Sequence, residues 1–150
     1  MAVLKKSKQN PKVNKLIVQE QHRCPEYPSF SFIHLTKNKD YNFEYFSSKM
    51  RKNLEVKQAD LTKKLIEISQ QTWETWYNLR KEKGVETLNY NQIHFSPNNL
   101  ELSPDEKIIV FRFSSGSCRM LGIKGKFCST CATYYIIGFD FNYTAYNHGG

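Results

Sequence analysis

A chain of 150 residues, 14% of them aromatic, can bury a single core without staples and is too rich in Phe and Tyr for a disordered coil. Its formal charge of +8 favours a polyanionic partner: nucleic acid, an anionic surface or an acidic protein. The longest apolar runs are far below the roughly 20 residues of a membrane-spanning helix, and Leu16–Val18 is no signal-peptide core, so a cytoplasmic protein with reduced thiols is expected.

Residues 1–29 are lysine-rich and interrupted by Pro11, Pro25 and Pro28, which predicts a partly flexible basic arm ahead of a folded domain over 30–150. Phe30–Leu35 reads as a first strand with Phe30, Phe32 and His34 on one face. Asp40 or Asn42 then caps a short helix with the stripe Phe43, Phe46, Met50 and Leu54. Asp60 opens the longest helix, whose stripe runs through Leu61, Leu65, Ile68, Trp76 and Leu79 until Gly84 stops it. From Val85 to Asp105 the composition predicts a long loop, with room for a short strand at Ile93–Phe95.

Three strands follow: Lys107–Phe113, Cys118–Ile123 and Tyr134–Phe141. Ser114-Ser-Gly-Ser117 is the turn between the first two, and either closure of it sets Arg112 opposite Arg119. Helices grouped before such strands predict an α+β domain: an antiparallel sheet of about four strands with two helices packed on one face.

Two arginines directly opposed on one sheet face repel each other, and an anion between them relieves that cost. A guanidinium fork suits phosphate oxygens, so the hairpin reads as built around a phosphate. Lys124 and Lys126 flank Gly125 at the next turn and extend the cluster if that turn lies at the same sheet edge. The other reading of these four cations is a pair of snorkelling arginines with loop lysines in water. Beyond the last strand, Tyr146 and His148 share a face in extended geometry, and Tyr143 and Asp140 lie close by in sequence. Histidine exchanges protons near neutrality, tyrosine stacks on bases or shares the proton work, and Asp140 at the strand end is placed to orient His148 or to cap the turn. A solvated terminal histidine is the alternative. Cys128-Ser-Thr-Cys131 has zinc-knuckle spacing and Cys24 and Cys118 could complete a site, but a second such pair is missing, so no metal or other cofactor is expected.

Val110–Phe113, Arg119 on the adjoining strand and the run from Tyr134 through His148 resemble bacterial toxins of the RelE/ParE superfamily over residues 55–148. The resemblance implies a small α+β fold with helices on one face of a curved sheet and a basic concave face opposite. It also implies a metal-independent endoribonuclease that drives a ribose 2′-hydroxyl onto the adjacent phosphate of RNA, in the RelE branch on ribosome-bound messenger RNA. An acidic antitoxin is the implied protein partner. By the same resemblance Arg112, Tyr146 and His148 are the catalytic positions, and Arg119 and Lys124 fit the basic face by position. Lys126, from the turn beside Lys124, and Tyr143, from the segment after the last strand, join Arg119 and Lys124 as expected contacts to RNA or its phosphates. The alternative is a non-catalytic basic phage or plasmid module that binds nucleic acid or inhibits a nucleic-acid enzyme such as gyrase. The arm, the 85–105 loop and the Cys128/Cys131 pair are departures from the superfamily's pattern.

Overall fold

The computed structural model describes residues 26–48, 51–125 and 132–149. The expected arm, apart from its last residues, lies outside that range. The described chain is α+β, with one mixed sheet of five strands in the order β1-β5-β4-β3-β2. The strands are β1 (Ser29–Ser31), β2 (Val85–Asn89), β3 (Lys107–Phe113), β4 (Cys118–Lys124) and β5 (Thr133–Asp140). Two helices, α1 (Leu54–Ser69) and α2 (Trp73–Asn78), precede β2. No helix among the described residues is long and apolar enough to cross a membrane.

The sheet is therefore neither four-stranded nor purely antiparallel. β1 lies beside the last strand and runs parallel to it, Ser29 facing Thr133 and Ser31 facing Tyr135. It ends early because the chain turns after Ser31, where Leu35 N–H bonds back to Phe32 C=O at 3.0 Å. The extra strand is β2, antiparallel to β3, in the stretch expected to be loop.

The long helix is also split. It starts at Leu54 rather than Asp60 and stops at Ser69. Thr72 then caps α2, its hydroxyl accepting from Thr75 N–H at 3.2 Å. The apolar stripe survives the break because Trp76 donates its indole N–H to Ile68 C=O at 3.0 Å, so both remain fully buried. Leu79 falls outside the stripe and is exposed. Asn42 caps the short 3₁₀ turn Phe43–Ser47, its side chain accepting from Glu44 N–H at 2.8 Å.

Both sheet faces are covered. Trp73, Trp76, Ile68, Phe111, Met120, Tyr134, Phe139 and Phe141 form the helix-side core. On the other face Ile108, Val110, Leu121 and Ile137 pack under Tyr41, Phe95, Ala145 and Tyr146. Where the resemblance implies an open basic face, loops and the C-terminal segment lie over apolar side chains.

A bulge in β5 sets which residues reach that second face. Leu121 pairs with Gly138 but Gly122 pairs with Ile136, so β5 carries one extra residue. The alternation thereby shifts phase: Tyr134 and Ile136 face the helices before the bulge, Phe139 and Phe141 after it. Without the shift, Asp140 would point at the helices. The bulge has glycine where the cover presses closest. A Cβ on Gly138 would lie 2.4 Å from the Phe95 ring.

That contact is testable by denaturant unfolding. Gly138→Ala should cost about 1–3 kcal/mol by overpacking, and Phe95→Ala about 3–5 kcal/mol by leaving a cavity. The double variant should lose clearly less than the sum, since each change relieves the other's clash or void. Strict additivity would mean that Phe95 does not sit on Gly138.

Candidate functional site

The four-residue turn gives the expected register. Ser114 and Ser115 take φ of 52° and 55° and Gly116 takes 80°, which brings Arg112 opposite Arg119. β5 extends the row, because Arg119 pairs with Asp140. Three charged residues thus stand in line across three strands, at the turn end of the loop-covered face.

The anion beside the arginines is supplied by the chain. Glu86 of β2 accepts from Arg112 Nε at 3.1 Å and Nη2 at 2.9 Å, both on Oε2. Its other oxygen accepts from the Tyr146 hydroxyl at 3.4 Å and lies 4.0 Å from Lys81 Nζ. The same hydroxyl accepts from Arg119 Nε at 3.1 Å. A relay therefore runs Arg112, Glu86, Tyr146, Arg119. Arg119, only 3% exposed, also donates to the carbonyls of Gly116 and Cys118. Glu86 raises the pKa of Arg112 further by accepting its hydrogen bonds. Tyr146 is pushed from 10.0 up to about 12, first by burial and then by the negative charge of Glu86. Its proton is held at neutral pH.

Asp140 organises the residues beyond β5. It is fully buried and accepts from the N–H groups of Thr144 at 2.9 Å, Ala145 at 3.1 Å and Asn142 at 3.3 Å. His148 Nε2 reaches the same carboxylate at 3.2 Å. A carboxylate only accepts, so Nε2 donates, and in the neutral form of the ring the lone pair is on Nδ1. The imidazole lies between two phenol rings. Tyr143 stacks on it at 3.5 Å and 17°, and Tyr146 lies at 4.0 Å and 38°. The Arg119 guanidinium carbon is 5.0 Å from the Tyr143 ring centre. Tyr143, Tyr146, Asn147, His148 and Gly149 line an open cavity of about 400 Å³ there. His94 and Tyr41 clamp the segment from outside, the former with Nδ1 3.1 Å from Thr144 C=O and the latter donating to that oxygen at 3.3 Å.

The structure thus gathers Arg112, Arg119, Tyr143, Tyr146 and His148 with Asp140. It does not bring Lys124 to them. That lysine sits at the far end of β4, where it pairs with Glu26 at 3.1 Å and lies over the Trp73 ring at 5.4 Å. Lys126, Cys24, Cys128 and Cys131 lie outside the described residues. Cys118 is buried on the helix side, where burial raises its thiol pKa. Among the described residues no group of three His, Cys, Asp or Glu could hold a metal ion. His34 is satisfied structurally, Nδ1 lying 3.0 Å from Asn98 C=O.

No known family, curated protein or solved structure matches this chain.

Glu86 is the residue that sequence reasoning missed. Its signal was present: Val85-Glu-Thr-Leu-Asn89 has two β-branched residues in five, and Gly84 bounds it.

Two outcomes are expected from this network. Because the folded pKa of Tyr146 is raised, its contribution to stability is fully present below pH 10 and is lost as pH climbs through about 12. Tyr146→Phe should cost about 1–3 kcal/mol at neutral pH by stranding Arg119 Nε and Glu86, and its unfolding free energy should fall less steeply over that alkaline window. Parallel curves for the two proteins would refute the assignment. For the second, Glu86→Ala should lower stability by about 2 kcal/mol, and added phosphate should restore more of it than chloride at equal ionic strength. Equal effects of the two salts would mean that no anion is needed between the arginines.

Proposed function

We propose that the protein is a metal-independent ribonuclease, with His148 as its proton-transfer residue. The observation that carries this is the His148–Asp140 pair: a buried carboxylate accepts from Nε2, which leaves the lone pair of the neutral ring on Nδ1, in a histidine that lines a shallow open depression of a basic protein. In the reaction Nδ1 takes the proton of a ribose 2′-hydroxyl. The oxygen so freed attacks the adjacent phosphorus, the bond to the 5′-oxygen breaks, and water protonates the leaving oxygen. A 2′,3′-cyclic phosphate and a 5′-hydroxyl end result. Arg119 supplies positive potential from beneath the rings. Tyr146 holds Arg119 in place directly, and Arg112 acts on it through Glu86 and that phenol. On the superfamily resemblance the target is messenger RNA and the protein partner an acidic antitoxin.

One observation favours the non-catalytic alternative. Both arginines are hydrogen-bonded within the chain, and Arg119 is 3% exposed, which suits a structural network beneath a binding surface.

A labelled oligoribonucleotide incubated in EDTA separates the two. The wild type should yield cyclic-phosphate ends, and His148→Ala should be slower by about 10²–10⁴-fold with an unchanged far-ultraviolet spectrum. Equal rates for the two proteins would remove His148 from the reaction. Salt-dependent binding without any product would establish the alternative.

A further inference from the structure

Tyr143 occupies a backbone conformation that an aromatic residue rarely takes. Its φ is 63°, and the other non-glycine residues with positive φ among those described are Asn or Ser: Asn53, Asn99, Ser114 and Ser115. Asparagine tolerates the left-handed region and glycine is free in it, whereas a bulky side chain is strained there. Glycine at this position would let the chain turn as it does at lower cost. The strained residue nevertheless carries a large ring, and that ring is not buried. Tyr143 is 50% exposed, although its ring lies flat against His148 at 3.5 Å. The three rings form a stack with Tyr146 innermost and 4% exposed, His148 between, and Tyr143 outermost. An exposed aromatic at the end of a stack, held there against backbone preference, is poorly explained by packing alone.

We propose that Tyr143 is a stacking platform for an unpaired nucleobase. The ligand class is single-stranded nucleic acid, since every base has a π-face while a base in a duplex has both faces covered by its neighbours. Fixed by its stack on His148, the ring meets the base without first having to be ordered. Arg119, its guanidinium carbon 5.0 Å from the centre of the same ring, adds positive potential from within the fold. The inference rests on the reading of this protein as one that acts on nucleic acid. It does not need the cleavage step, and ribose and deoxyribose strands present the same bases to it.

The test uses the full chain, a fluorescent single-stranded oligodeoxynucleotide that cannot undergo 2′-hydroxyl attack, a 2′-O-methyl ribose strand of the same sequence that is equally inert, and a duplex. Tyr143→Phe should bind the deoxy strand as the wild type does. Tyr143→Gly should bind it roughly 5- to 100-fold more weakly, with a melting temperature equal to or above that of the wild type, because the backbone strain is relieved. The slope of affinity against salt should be the same for both, since no phosphate contact is removed. Ribose and deoxyribose strands losing affinity alike on Tyr143→Gly would confirm a base contact. Loss for the ribose strand alone would overturn it in favour of a sugar contact. Unchanged binding by Tyr143→Gly, a fall in its melting temperature, or equal wild-type affinity for duplex would each overturn the platform. RNA cleavage lost with His148→Ala while Tyr143→Gly binds normally would leave the proposed reaction standing and remove the platform alone.

Discussion

Two guanidinium groups set opposite each other by a hydrogen-bonded register need a counter-charge close by. The Ser114–Ser117 turn imposes that situation on Arg112 and Arg119, and much of the turn end of the sheet answers it. The edge strand β2 brings Glu86 diagonally across to Arg112, and Tyr146 passes the carboxylate's influence on to Arg119. A phenol can do this because it donates with its hydrogen and accepts on its oxygen, whereas a second carboxylate or an ammonium would do only one. The relay leaves no described side-chain polar atom both buried and unpartnered. A half-satisfied network in such a place costs more than an apolar core would.

The second organising group is Asp140. The β5 bulge turns it toward the loop-covered face, where it gathers three backbone N–H groups and an imidazole. Asp140 and Glu86 thus divide the work between them. One holds the backbone of the last segment and the other neutralises the arginine beside it. The histidine and the stacked phenols are positioned by both. That division makes the site rigid at its base while its rim at Tyr143 and Asn147 remains exposed.

Short-range patterns made the last third of the fold legible. Alternation and the Ser-Ser-Gly-Ser turn gave three strands to within a residue or so, along with the pairing of Arg112 with Arg119. The link between Asp140 and His148 was also visible, as two residues close in sequence with complementary chemistry. The rest depends on contacts between distant segments. Nothing near Glu86 announces Arg112, which is 26 residues away, so the counter-charge read as absent and a phosphate was expected instead. The helix break at Gln70–Thr72 preserves the apolar stripe, so periodicity could not reveal it. The parallel pairing of β1 joins the two ends of the described chain, and no local signal encodes that. Lys124 looked close to the arginines because a turn separates few residues, yet strand length carries it to the opposite end of the sheet.

The covering of the second face has a consequence for the order of assembly. Tyr41, Glu86 and His94 each contact the 144–148 segment across 50 to 103 residues of chain. Contacts that close loops so long form late, after the local hairpin is in place. Until they form, Arg119 lacks its phenol acceptor and Asp140 lacks its imidazole. The 144–148 segment is thus the keystone of the covered face, the last piece set and the one that makes the pieces beneath it fit.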